Sequence, residues 1–238
     1  MTEILSKTVF IRSEHVDVRR LLRPSALFLM LQEIALDHSA LLGLGTDATL
    51  HQNLLWVVTR YHVAIERLPQ YEETVVLETW PGETRRVLFP RHFRMKTQDG
   101  EPLLRVSSLW VLIDGETRKM ISPKQYGLTP VEGLTVGDEL PVNVPADAIE
   151  PTRFETFTVP YSYLDLNGHM NNTRYFDLCT DLIADEVTDR KLVSISAEYQ
   201  NEVHYREQLS VSIGQQNGRY TFTGTAGHPC FRIGFRYE

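Results

Sequence analysis

Cysteine is nearly absent from this chain of 238 residues, which has only Cys179 and Cys230. Two thiols cannot form a disulfide framework. With no CxxC spacing and no histidine cluster beside them, they do not suggest a structural zinc site either. Both are expected to be ordinary buried side chains. No apolar run approaches the ~20 residues that cross a bilayer, so no membrane span is expected. The amino-terminal stretch MTEILSKTVFIRSE is broken by Glu3 and Lys7 and has no apolar signal core, which makes a cytoplasmic location the expectation. Positive charge is not in excess. The formal net charge of -7 argues against the basic surface on which non-specific nucleic-acid binding depends. No motif asks for a metal or a cofactor.

Apolar material is plentiful. The chain is 42% hydrophobic and 23% charged, the balance of a globular protein with a real core. Its acidity is uneven: residues 1–119 carry 15 Lys+Arg against 15 Asp+Glu, and the remainder 9 against 16. An acidic partner would approach the first half more easily.

Two segments have helical spacing. The first covers about 25–42, with Pro24 where helices start, Gly43 where they stop, and Leu27, Leu31, Ile34 and Leu41 in register. Phe28, Met30, Ala35 and Leu42 widen that surface until most of the circumference is apolar, the pattern of a helix buried on several sides. The second covers about 173–187, with Asn171 or Asn172 as N-cap. Strands are expected after the first helix at 55–64, 74–80, 91–97 and 103–113. After the second they are expected at 192–199, 209–213, 219–225 and 230–237. Between the halves, residues 115–153 hold five of the 12 prolines and suggest a connection.

The order strand, helix, several strands therefore occurs twice, and the residues support a duplication. EHVDVRRLLRPSALF lies over SYLDLNGHMNNTRYF without a gap, placing Asp17 on Asp165 and Phe28 on Phe176, an offset of 148. RLPQYEETVVL lies over NEVHYREQLSV with an offset of 134.

Asp165, Asn167 and His169 stand at alternate positions just before the second helix. In an extended segment, alternation puts all three on one face. A carboxylate, an amide and an imidazole together supply a proton acceptor, a group to orient it and a donor for a carbonyl. Backbone N–H groups of Gly168, Met170 and Asn171, at the start of that helix, are expected to face outward and bind a developing oxyanion. The bland alternative is that Asp, Asn and Gly simply build loops and caps. The first half is an internal control against it. Asp17 is retained, but Arg19 and Leu21 replace the amide and imidazole, as in one working site and one retired one.

DLNGHMNNTRYF resembles the active-site loop of the acyl-acyl-carrier-protein thioesterases of bacterial type, relatives of the plant plastid enzymes. LQEIALDHSALLGLG, LLWVVTRYHVAIERLPQYEETVVLETW and SSLWVLIDGETRK are also similar to that family, so the likeness covers about 9–211. It implies an α+β double hotdog, in which each half wraps an antiparallel sheet around a long helix. The halves would be an N-terminal acyl-chain-binding hotdog at 1–114, a linker at 115–153 and a catalytic hotdog at 154–238. It further implies that Asp165, Asn167 and His169 are catalytic, joined by Glu202 of Tyr199-Gln-Asn-Glu-Val203. Plant members often have a cysteine after that glutamate; here Val203 excludes a thiol nucleophile at that position. The implied mechanism has Asn167 and the loop amides polarise a thioester carbonyl while Glu202 and His169 position and deprotonate water. Asp165 would orient the site or act as base or nucleophile.

The implied partner is an acyl carrier protein bearing a fatty acyl chain, and the implied role is release of free fatty acid to end chain elongation. Arg85, Arg86, Arg91 and Arg94 form a basic run that would receive the acidic carrier, against the simpler reading of a solvated strand face. Trp56, Trp80 and Trp110 are expected in the core rather than in a substrate box. Two alternatives stay open at this point: a hotdog acyl-CoA thioesterase, and a non-catalytic acyl-binding module. A monomer suffices physically, because two hotdog halves already form the pair that single-hotdog proteins make by dimerising; a homodimer is the other option.

Overall fold

The computed structural model describes residues 4–45, 49, 51–127 and 132–238. Residues 1–3 of the amino-terminal segment and 128–131 of the connection, with Pro130, lie outside the described residues, as do 46–48 and 50.

The first half contributes β1 (Leu5–Phe10), α1 (Pro24–Leu41), β2 (Leu54–Ile65), β3 (Thr74–Pro81), β4 (Leu88–Thr97) and β5 (Pro102–Asp114). The second contributes β6 (Pro151–Thr158), α2 (Arg174–Asp181), α3 (Ala184–Val187), β7 (Leu192–Tyr199), β8 (Gln208–Gln216), β9 (Arg219–Thr225) and β10 (Pro229–Tyr237). All eight strands expected after the helices are present. The two that precede the helices, β1 and β6, were not located by pattern. Both alternate weakly and leave most side chains exposed. β6 begins at Pro151, inside the stretch expected to be connection.

All ten strands form one antiparallel sheet in the order β1-β3-β4-β5-β2-β7-β10-β9-β8-β6. That order is a mirror of itself about the β2–β7 seam. At the seam Arg60 pairs with Glu198, His62 with Ser196 and Ala64 with Ser194. The offset of 134 carries His62 onto Ser196, so a pseudo-twofold axis passes between those two residues.

α1 is capped by Pro at its first turn and closed by Gly43 at φ +74°, as its flanks predict. Ten of its 18 residues are buried, including Leu27, Phe28, Leu31 and Ile34, because sheet and α2 cover it from several directions. Core residues of both halves join in a single cluster.

The second helix differs from expectation. It stops at Asp181 and resumes for one turn at Ala184. Arg153 of β6 explains the break: its Nη2 donates to the Leu182 carbonyl at 2.6 Å, and its Nη1 holds Glu186. The Glu186 amide then donates to Ile183 instead of Leu182.

Candidate active site

The loop before α2 is a turn rather than an extended segment. Gly168 sits at φ +82°, a conformation that favours a residue without Cβ, and reverses the chain. Asp165 folds inward: its Oδ1 accepts from the Asn167 amide at 2.8 Å and the His169 amide at 3.4 Å. Asp165, Asn167 and His169 therefore do not project from one face as strand alternation suggested. Among the described residues no hydrogen bond joins the side chain of one of them to the side chain of another; Asp165 reaches the other two only through their backbone amides.

The corresponding loop of the first half has the same construction. Asp17 Oδ1 accepts from the amides of Arg19 at 2.9 Å and Leu21 at 3.2 Å, and Arg20 takes the positive φ of 63°. Each loop is then tied to the chain entering its third strand. Leu22 N–H donates to Pro69 O at 2.8 Å, and Met170 N–H to Val203 O at 2.7 Å. A second residue at positive φ completes each tie, Glu72 bonding to Ile11 and Arg206 to Val159. The shared backbone fixes which side chains correspond: Leu21 with His169, and Leu68 with Glu202.

Where the first half has two leucines, the second has an imidazole facing a carboxylate. His169 Nε2 lies 3.1 Å from Glu202 Oε2. The imidazole is mostly buried and the carboxylate more open, at 17% and 38% side-chain exposure, which places the pair near the surface rather than in the core. His204 packs edge-on against the His169 ring at 5.2 Å, and His228 Nε2 lies 3.4 Å from the Glu202 carbonyl.

The loops differ in a second way. In the first half Arg19 Nε and Nη2 clamp the outer oxygen of Asp17 at 2.9 and 2.7 Å. Asn167 stands in place of Arg19, and Asp165 Oδ2 has no partner among the described residues. The Asn167 side chain is exposed and likewise makes no hydrogen bond among them.

The three amides expected to bind an oxyanion are already committed. Gly168 N–H donates to Asp165 O at 3.1 Å, Met170 N–H to Val203 O, and Asn171 N–H to Tyr163 O at 2.8 Å. The turn and the strand tie that build the loop use them internally. Asn171 Oδ1 instead accepts from Thr173 N and Thr173 Oγ1 at 2.9 and 2.8 Å, and the N-cap of α2 is Thr173 rather than Asn171 or Asn172. The Asn172 amide is left without an acceptor among the described residues.

Both thiols are buried, and burial raises them above the ordinary cysteine value, so neither is a ready thiolate. Tyr175, next to the site, is also pushed up, first by burial and then by the charges of Cys230, Asp165 and Glu202.

An apolar cavity opens in the first half, walled by Leu36 of α1, Leu42 at its C-cap, and Trp56, Phe89 and Trp110 of the sheet. Trp80, by contrast, is 1% exposed and belongs to the core. A backbone path links the cavity wall to the site. Trp56 is three residues along β2 from Asn53, whose carbonyl accepts the Gly115 amide at 2.7 Å. The turn that begins there carries Arg118, and Arg118 Nη2 reaches both oxygens of Glu202 at 2.7 and 2.6 Å.

The basic run is split. Arg85 and Arg86 are exposed. Arg91 is 8% exposed, its guanidinium held by His38, Thr79 and Ser39, and burial lowers it to about 10. Arg94 pairs with Glu78 and lies over the Trp80 ring. Alternation along β4 turns Arg91 inward, and the neighbouring strand supplies Arg94 with a carboxylate, so Arg91 is buried and Arg94 is already paired.

The family model for the acyl-ACP thioesterase N-terminal domain matches residues 3–125, and that for the C-terminal domain matches 146–225. The chain belongs to the acyl-ACP thioesterase family. A dodecanoyl-[acyl-carrier-protein] hydrolase of Cinnamomum camphora is 29% identical over 221 residues, which is 84% of this chain and 56% of that protein. A palmitoyl-acyl carrier protein thioesterase of Arabidopsis thaliana is 30% identical over 72% of this chain and 45% of its own length. The chain spans about half the length of the curated relatives it matches. An acyl-ACP thioesterase from Bacteroides thetaiotaomicron superposes with a TM-score of 0.84, at 22% identity over 99% of this chain and 98% of that one. The family fold is thus the double hotdog described above.

Arg118 and His204 are the residues that pattern reading passed over. Arg118 stands in the GETRK segment used only as a mark of family likeness. Its signal was local: an Asp-Gly turn directly after a strand, with a cation at its far end.

Proposed function

We propose that the protein hydrolyses the thioester of fatty acyl carrier protein, releasing free fatty acid and ending chain elongation. The observation that carries this reading is the His169–Glu202 contact at 3.1 Å, which occurs once, in place of the Leu21–Leu68 pair of the first half. Asn167, with its free side-chain amide, and the unpaired Asn172 N–H are the donors for the thioester oxygen. They replace the amides of Gly168, Met170 and Asn171 in that role. His169 and Glu202 bind and deprotonate a water. The water oxygen bonds to the acyl carbon, the carbon–sulfur bond breaks, and the thiol of the carrier takes the proton. Asp165 acts through the loop it folds, since one of its oxygens is occupied by two backbone amides.

The acyl chain runs into the cavity beside Trp56 and Trp110, which makes the first half, 1–114, the chain-binding unit and 154–238 the catalytic one, joined by 115–153. Arg85 and Arg86 are the docking candidates for the acidic carrier. Among the described residues no helix is long and apolar enough to cross a membrane. We take the protein to be cytoplasmic and to act as a monomer, its two halves serving as the dimer.

A thiol-release assay tests the proposal, with medium to long acyl chains presented on carrier protein and on coenzyme A. Faster turnover of the carrier-bound series supports it. Preference for coenzyme A would change the carrier, and binding without thiol release would make the protein an acyl-binding module.

A further inference from the structure

A residue of the first half reaches into the candidate site of the second. Arg118 and Glu202 are 84 positions apart, and one guanidinium nitrogen, Nη2, contacts both carboxylate oxygens. The turn holding Arg118 is well built. Asp114 Oδ1 accepts from the amides of Glu116 and Thr117 and from the Thr117 hydroxyl, at 3.1, 2.7 and 2.9 Å. The Arg118 amide donates back to Asp114 O at 2.9 Å. Asn53 anchors the other side, so closely that a Cβ at Gly115 would meet its side chain at 2.5 Å. Within this frame Arg118 itself adopts φ +57°. A non-glycine residue in the left-handed region is strained and persists where surrounding contacts impose it.

Stability does not explain that strain. The two side chains are 42% and 38% exposed, and an ion pair this open contributes little to folding. What the contact does fix is direction. A glutamate side chain this exposed has several rotamers, and holding it in one presents Oε2 to His169 Nε2.

We propose that Arg118 is a positioning residue for the reaction, a guanidinium supplied by the first half that holds Glu202 as an oriented anion against His169. The inference rests on the hydrolase reading for its effect on rate, while the contact it asserts is independent of that reading. Misplacing a reacting group by about 1 Å costs about 10²-fold in rate, so losing this restraint lowers kcat by about 10- to 100-fold. Substrate binding is expected to be spared.

The test compares the native protein with Arg118→Ala, Arg118→Lys, Glu202→Gln and the double variant, on a small acyl thioester and on acyl carrier protein. Expected are a lowered kcat in Arg118→Ala with both substrates and near-native KM. Arg118→Lys should recover part of the rate, and methylguanidinium added to Arg118→Ala should restore more. Arg118→Ala should add little to Glu202→Gln. Native kcat in Arg118→Ala, a loss confined to KM for the carrier substrate, or full additivity with Glu202→Gln would overturn the proposal. The imidazole NMR signals of His169 give a readout without turnover. They should move in Arg118→Ala and return towards the native position in Arg118→Lys. If the native protein cleaves no thioester, the hydrolase reading falls, and unmoved His169 signals would then overturn the Arg118 contact separately.

Discussion

Phe28 and Phe176, equivalent positions of the two halves, stack face to face with ring centroids 3.8 Å apart and planes 5° from parallel. Both are essentially inaccessible, at 1% and 0% exposure. The pseudo-twofold relation of the sheet seam thus continues through the helices, and the two halves share one core at the place where their symmetry brings like residues together. Replacing either ring by alanine removes packing from both halves at once. Phe28→Ala and Phe176→Ala should each cost about 3–5 kcal/mol, read as a lower denaturation midpoint in urea. A loss below about 1 kcal/mol would mean that the stack is not part of the core.

The paired aspartates allow a control seldom available in a single chain. Asp17→Ala and Asp165→Ala each remove the one oxygen that accepts from two loop amides, and each should lower stability by about 0.5–2 kcal/mol. Only the second should impair turnover. Asp165→Asn keeps an Oδ1 acceptor and should keep most of the activity if the residue acts through the loop. A fall of 10³-fold in that variant would assign the carboxylate itself to the chemistry.

His169→Ala should lower kcat by about 10²–10⁴-fold, the range for losing a general acid or base, with the fold retained by circular dichroism. Near-native turnover would remove the imidazole from the mechanism.

Reversing the two exposed cations, Arg85→Glu with Arg86→Glu, should raise KM for carrier-bound substrate and leave a small thioester unaffected. The gap between the two substrates should narrow as salt rises. Equal effects on both substrates would argue against a docking role.

Glu73 offers a test on pH. The Arg67 guanidinium bonds both its oxygens, at 2.9 and 2.8 Å, and together with the Gln70 amide holds it below its ordinary value of 4.5 despite the opposing effect of burial. Its folded value is depressed, so its contribution to stability is complete above about 4.5 and disappears as pH falls through the lowered value. Glu73→Gln should therefore lose stability at neutral pH and show a flatter acid limb in chemical denaturation. An unchanged acid limb would place that linkage elsewhere.

Much of the fold was legible because its signals are local or repeated. Pro24 and Gly43 mark α1, and alternation at Phe231, Ile233, Phe235 and Tyr237 marks β10. The duplication came from fifteen aligned residues around Asp17 and Asp165. The break in the second helix was hidden, because its cause is Arg153, a residue of another strand reaching the Leu182 carbonyl. In the site, residue types were readable and hydrogen-bond commitments were not. Nothing in Gly168, Met170 and Asn171 as letters reveals that their amides are already bonded. Likewise, the arginines at 91 and 94 look like their neighbours at 85 and 86. Only strand register separates the buried and paired cations from the free ones.

The seam between β2 and β7 has one more consequence. Two identical subunits meeting across such an axis would share every mutation, so any change improving a pocket in one copy would also be imposed on the catalytic loop of the other. With both copies written into a single polypeptide, Leu21 and Leu68 are free to remain greasy while their counterparts are an imidazole and a carboxylate. Asymmetry of this kind lets one lobe be tuned for fit and the other be preserved for reactivity.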